Sequence, residues 1–493
     1  MDAKLRLPPF SRFPSIHWEH MAFNGYFCYN EACSITAKEH KMKQTYSLSE
    51  KARCFAYILF PILITQISLA SAGFVDTVMS GRAGPVDLAG VAVGVNIWQP
   101  LFTGLNGIII GITPILAQLH GAGRKADMPF VVRQGLYLAA ALSMLVIAAG
   151  GLLLKPLLTL MNFDPAVYRI GHDFLAAIAI GIFPLFISSV LRNFLDSLGY
   201  TRVTMLITLC TLPINILFNY LLIFGKFGFP RLGGVGAGYA SAITYWCVAL
   251  IIITVVHRVE PFKSYHIFHR FSRISVKAWI NQLRIGVPIG FAIFCEMSIF
   301  GVVALLMAKF GTMTIAAHQA AINFTSMIYM VPLSIGIALT ICVGFEVGAN
   351  RYAAAKQYAY LGIGLAVIVS LAFATVLSVY KSHIAGLYST DSKVLELIGN
   401  FLTYAIFFQL SDAIAAPIQG ALRGYKDVTA TFLIALLSYW AIGLPVGYLL
   451  AEYSVYGAYG YWLGFIIGLA VGAAALAARL ILIQKKYQRT CTE

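Results

Sequence analysis

Residues 55–81 read FAYILFPILITQISLASAGFVDTVMSG, a nearly unbroken apolar run with one carboxylate, Asp76, inside it. A run of this length crosses a hydrocarbon core of about 30 Å as a helix. An ionised carboxylate at the middle of such a helix costs about 2.5 to 3.5 kcal/mol on insertion scales. The same conflict recurs in residues 285–307, IGVPIGFAIFCEMSIFGVVALLM, around Glu296, and in residues 401–422, FLTYAIFFQLSDAIAAPIQGAL, around Asp412. Three such penalties in one chain mark an ion or substrate pathway.

The surrounding composition agrees with a membrane setting. Of 493 residues, 59% are hydrophobic and only 11% charged, with a mean hydropathy of +0.79. Soluble domains carry about 25% charged residues. Apolar stretches predict twelve spans, near 54–79, 88–118, 131–154, 172–191, 203–224, 236–257, 282–307, 314–344, 358–380, 396–419, 428–450 and 460–483. The formal net charge of +15 raises the question of an anionic partner such as nucleic acid. With both termini placed in the cytoplasm, however, Lys and Arg near the spans fall on the inner side by about three to one, as the positive-inside rule requires. The basic balance therefore reports topology, and no nucleic-acid partner is expected.

Residues 1–41 contain Pro, His and Cys without helical periodicity and read as an unstructured leader or an upstream translation extension, with the working protein starting near Met42. They hold no apolar core of the signal-peptide kind. None of the eight cysteines forms a CxxC pair, so they read as small packing residues rather than metal ligands or disulfides.

Short motifs repeat along the chain. GAGRKAD at 121–127 matches GANRYAA at 348–354, Gly199-Tyr200-Thr201 matches Gly424-Tyr425-Lys426, and Gly236-Ala237 matches Gly457-Ala458. The expected fold is an all-α polytopic membrane protein with twelve transmembrane helices in two six-helix bundles. The bundles comprise residues 42–257 and 282–493, joined by a cytoplasmic basic loop at 258–281. An even number of spans per half makes both halves enter from one side, which sets a pseudo-two-fold axis along the membrane normal. The loop reads either as a tether or as an amphipathic helix on anionic lipid. Prolines 61 and 417, close to carboxylates, are candidate hinges.

Depth decides which polar groups can meet. Asp76 falls in the outer half of span one, at the level of Asn215 and Asn219 on span five, whose i, i+4 spacing places both on one face. Asp76 with two amide oxygens makes a cation or proton site; interhelical glue is the other reading of the asparagines. Glu296 and Asp412 lie at similar depth in the second half, and two close carboxylates either raise a pKa or draw in a cation. Phe294, Phe300 and Tyr329 are candidates to stack on an organic cation, or else pack in the core. His318 reads as hydrogen-bonded within its bundle rather than as a proton relay. No P-loop, HExxH or dinucleotide fingerprint occurs, so neither ATP hydrolysis nor an ATPase partner is called for.

GFVDTVMSGRAGPVDLAGVAVGVNIW, AQLHGAGR, LRNFLDSLGYTR, LPINILFNY, LGGVGAGYASAITYW, AAHQAAINF, ALRGYKDVTA and YWLGFIIGL, in that order, resemble the NorM-type branch of the multidrug and toxic compound extrusion family. The likeness covers roughly 42–487. It implies a twelve-helix alternating-access antiporter of the bacterial inner membrane that exchanges Na+, or H+, for cationic or amphipathic drugs. It also implies roles in coupling for Asp76, Glu296 and Asp412, with Asn215 and Asn219 in support. The only small ion needed is the coupling ion; no further cofactor is expected, and a monomer suffices. Phe408 stands where some relatives have tyrosine. A lipid-linked precursor flippase of the wider superfamily is the alternative and would want a basic cavity. A membrane transferase would want an Asp-rich metal motif such as DDxxD, which is absent.

Overall fold

The computed structural model describes residues 44–161, 163–269, 271–389 and 391–489. The expected leader, with Cys28 and Cys33, and Cys491 at the other end lie outside the described residues. Within them are twelve helices long and apolar enough to cross a membrane, and no strand. They are α1 (Leu48–Ala83), α2 (Pro85–Gly121), α3 (Met128–Leu160), α4 (Pro165–Ser197), α5 (Thr201–Phe224), α6 (Gly234–Arg258), α7 (Val276–Phe310), α8 (Thr312–Gly348), α9 (Tyr352–Gly386), α10 (Ser392–Gly424), α11 (Val428–Tyr453) and α12 (Tyr459–Arg489). Each overruns the span read from hydropathy, because a helix continues past the apolar core until a cap satisfies its end. Ser47 and Glu50 form such a cap on α1: Glu50 N donates to Ser47 Oγ at 3.1 Å, and Ser47 N donates to Glu50 Oε2 at 3.3 Å.

The two halves repeat in structure as they do in sequence. In the first, α1 packs on α5 and α4 on α6; in the second, α7 packs on α11 and α10 on α12. Asp164 caps α4 and Asp391 caps α10, 227 residues apart. That is also the spacing between Gly121 and Gly348, which end α2 and α8. These two ends press together. A Cβ on Gly121 would collide with the carbonyl oxygen of Phe345, and one on Gly348 with that of Gln118.

The close glycine contacts between the halves gather toward one end. Gly107 and Gly111 of α2 face Gly290 and Gly286 of α7 with no room for a Cβ. Gln118 Nε2 donates to Gly424 O at 2.9 Å, and Phe55, Ile58 and Ile62 of α1 enter the core of the second half. All of these lie toward the end of the bundle that holds the start of α1. The opposite part of α1 turns to α5 and α6 instead, where Asp76 meets Asn215, Asn219 and Ser241.

Proline accounts for three irregularities that apolar counting did not foresee. Pro114 and Pro213 remove the N–H groups that would bond Ile110 and Leu209, and the helices break at the next residues, Gly111 and Cys210. Pro445 follows a wide turn over Leu437–Gly443 in α11, placed like the Cys210 break in α5. Pro61 and Pro417 behave otherwise: both are buried and their helices run through them.

Among the described residues the loop between halves forms no amphipathic helix; it contains a short 3-10 turn, Lys263–Tyr265, and folds back on the first half. Phe262 is buried against Tyr200, and Gln134 Nε2 donates to Arg273 O at 2.8 Å.

Candidate functional site

Asp76, Asn215 and Asn219 come together as their depths required, with a partner that the sequence concealed. Asn215 Nδ2 donates to Asp76 Oδ1 at 3.0 Å and Asn219 Nδ2 donates to the same oxygen at 2.6 Å. Ser241 Oγ, from α6, donates to Oδ2 at 3.0 Å. The amides thus offer nitrogen to the carboxylate, where oxygens toward a cation were expected. The reason is charge: an anion in a dry bundle takes donors first. Asn219 Nδ2 also reaches Asn215 Oδ1 at 3.0 Å, and among the described residues Asn219 Oδ1 is buried without a partner. One amide oxygen is therefore left as a spare acceptor beside the aspartate. Ser241 sits in GYASAITYW among small residues, and nothing in that pattern separates it from a packing serine.

The second group lies between α7, α8 and α10. Glu296 is 8% exposed and Asp412 4%. Tyr329 OH donates to Glu296 Oε1 at 3.3 Å, so Tyr329 enters as a hydroxyl, where only its ring had been considered. Glu296 acts electrostatically on both Asp412 and Arg423. Among the described residues no hydrogen-bond donor reaches Asp412. Its helix continues to Gly424, beyond the span end at 419, so Asp412 sits twelve residues from the helix end and closer to mid-membrane than hydropathy placed it.

Arg423 is the residue that sequence reasoning missed. Counted among the inner positive charges, it instead turns into the second half toward Glu296 and Tyr329, with Nη2 donating to Gln419 Oε1 at 3.4 Å. A signal existed: residues 412, 419 and 423 follow the i, i+7, i+11 pattern of one helix face. The chain does carry bases within its helices, since Arg192 likewise faces Asp196.

The remaining candidates divide. Phe294 is 42% exposed and lies against Gly104 of α2, at the seam where the halves part. Phe300 packs with Phe408 at 6.0 Å and with Phe465 at 5.1 Å between ring centroids, inside the second core. Phe408 thus keeps an aromatic cluster where a tyrosine would bring an oxygen. His318 accepts from Trp462 Nε1 through Nδ1 at 3.1 Å, matching the hydrogen-bonded reading. Among the described residues no group of three His, Cys, Asp or Glu side chains is arranged to hold a metal ion.

Comparison with known proteins bears on both halves. The sequence pattern of the MatE family matches residues 61–221 and again 288–449, once in each half, and the two matches contain Asp76, Asn215, Asn219, Glu296 and Asp412. The chain is 54% identical over 446 residues to a Bacillus cereus protein described as a probable multidrug resistance protein NorM, covering 90% of this chain and 99% of that one. A Bacillus subtilis protein of the same description is 53% identical over 448 residues, covering 91% and 99%. In structure, the chain is similar to the Vibrio cholerae MATE transporter VcmN in its bent form, with a TM-score of 0.80 at 19% identity over 89% of this chain and 98% of the other. It is also similar to the eukaryotic MATE transporter AtDTX14, with a TM-score of 0.78 at 20% identity over 90% and 98%.

Proposed function

The chain belongs to the MatE family, and from that premise we propose that it exports cationic and amphipathic small molecules, drugs and dyes among them, in exchange for an inward-moving cation. It is a multi-pass membrane transporter of the multidrug efflux class and not an enzyme. The cation is Na+ in preference to H+. Its site is the Glu296 and Asp412 pair, and the observation that carries this is the bare carboxylate of Asp412, buried beside a second carboxylate with no donor on it among the described residues.

Charge bookkeeping supports one cation per cycle. Two carboxylates and the Arg423 guanidinium leave one negative charge, which a single monovalent ion neutralises. Na+ has the better claim because it binds several oxygens at once, and Glu296, Asp412 and the Tyr329 hydroxyl offer them from three helices. A proton would satisfy one oxygen only. Each charge moved inward draws about 2.3 kcal/mol per 100 mV of membrane potential. Asp76, already holding three donors, serves the organic cation, with the spare Asn219 oxygen beside it and the Phe294 ring at the seam.

With both termini in the cytoplasm of a bacterial cell, the end where the halves meet is the inner one, and the other end opens outward. This is the conformer that takes up the coupling ion and has released substrate. Rocking of one half on the other then opens the inner side. The protein works as a monomer in the plasma membrane. A lipid-linked precursor flippase would need an excess of base in the cavity, whereas Arg192 and Arg423 each face acid.

Dye export from everted membrane vesicles tests the coupling site. Asp412→Asn and Glu296→Gln lose export driven by an ion gradient while the proteins still reach the membrane. Export at the native rate in Asp412→Asn would remove the pair from the mechanism.

A further inference from the structure

A second charged site lies away from these carboxylates, at the seam where the two halves close. A cavity of about 410 Å³ opens there between the start of α1, the turn from α8 to α9 and the end of α12. Lys51 of α1 lines it and is 2% exposed, an unusual burial for lysine. Its Nζ has one protein partner, Tyr46 O at 3.1 Å, which leaves two of its three donors over. Arg351 lines the opposite wall. Its Nε stands 3.4 Å from Glu346 Oε2, its Nη2 reaches Thr45 O, and its Nη1 is buried with no partner among the described residues.

The third element is backbone. Helix α9 runs 35 residues, and Arg351 at its N-cap makes no side-chain cap bond. The amides of Tyr352 and Ala353, both in the cavity wall, are among those a helix start leaves without an intrahelical acceptor. Gln357 and Gln488 add side-chain amides. On the acidic side, Glu346 is held by Arg351, and Glu50 caps α1 through the N–H groups of Tyr46 and Ser47. Two cations, unsatisfied donors and the positive end of a long helix thus converge on one cavity, set against Glu346, which faces both Arg351 and Lys51, and against Glu50, whose carboxylate is already taken up by the α1 cap.

We propose that this cavity binds a phosphate group, on a lipid headgroup or free, and that the bound phosphate pins the inner ends of the two halves together. Helix starts favour such anions through their free N–H groups and dipole, and arginine and lysine strengthen the contact. Lys51 belongs to the first half, whereas Arg351, Tyr352, Ala353 and Gln488 belong to the second, so the ligand bridges them. Opening of the inner side separates its two walls and releases it. The site is independent of which cation drives transport.

The test uses the full chain in a neutral detergent, with its thermal unfolding midpoint followed during titration by inorganic phosphate, short-chain phosphatidylglycerol and short-chain phosphatidylcholine. A saturable rise with phosphate or phosphatidylglycerol is expected, at least tenfold weaker in apparent affinity in Lys51→Gln and Arg351→Gln. Ala353→Glu guards against loss of folding: Ala353 is exposed, the substitution keeps every native pairing, and glutamate suits the first turn of a helix while placing a negative charge in the cavity. It should weaken the response equally. Saturation by phosphatidylglycerol alone assigns the ligand to lipid; saturation by inorganic phosphate assigns it to the phosphate group itself. A flat response to both, a response to phosphatidylcholine of the same size, or an unaltered response in Ala353→Glu overturns the site.

Discussion

Asp76 and Asp412 are the same residue type in the same solvent, yet their surroundings ask for opposite partners. Asp76 accepts from two amides and a hydroxyl, so its negative charge is already met by dipoles. Asp412 accepts from no donor among the described residues, so its charge is met only at a distance, by Arg423 through Glu296. Removing donors from Asp76 should therefore show as stability. Ser241→Ala is expected to cost about 0.6 to 1.7 kcal/mol, the range for hydrogen bonds between membrane helices. Asn219→Ala is expected to cost more, because Asn219 bonds both Asp76 and Asn215. Unfolding in mixed micelles measures both, and an order reversed between the two would contradict the geometry. Sequence alone made the acids and the paired asparagines legible, since charge in an apolar run and i, i+4 spacing are local signals. Ser241 and Arg423 were hidden for a physical reason. A serine among alanines and an arginine near a helix end each have an ordinary role, and only packing separates that role from another.

Among the elements, the glycines at the ends of α2 and α8 decide how closely the halves can shut. Gly121 and Gly348 each touch the backbone of the opposite half, and a side chain at either position must push the helices apart. Gly121→Val is expected to shift the population away from the conformer in which these ends meet. Spin labels on the ends of α2 and α8 at Gly121 and Gly348 would then show a longer mean separation; an unchanged distance distribution would contradict this. The turn between α10 and α11 carries a different signal. Burial pushes Lys426 down to about 8 from its ordinary 10.5. Between those values the unfolded chain binds the proton that the folded chain has shed, so stability contributed by this group rises with pH from about 8 toward 10.5. Lys426→Gln should flatten that rise, as followed by thermal unfolding across the alkaline range. Helix breaks at Gly111 and Cys210 were readable in principle from Pro114 and Pro213, three positions on. Hydropathy averages over them, because a broken helix is as apolar as a straight one.

For the whole molecule, the twelve helices and the two-half design were carried by the sequence because bilayer thickness and repeat spacing act on many residues at once. The 227-residue spacing seen at Gly121 and Gly348 returns in the helix caps and in the α5 and α11 interruptions. Function breaks the symmetry: the first half gathers donors around one acid, and the second gathers two acids and a base. In the proposed mechanism that asymmetry lets one half hold an organic cation while the other exchanges a small one. Purified protein in liposomes loaded with a cationic dye, given Na+ and proton gradients separately, tests this most directly. An inward Na+ gradient is predicted to drive dye export several-fold above leak in the native chain and to fail in Asp412→Asn. Export that ignores both gradients, or that survives undiminished in Asp412→Asn, would contradict cation coupling through the Glu296 and Asp412 pair.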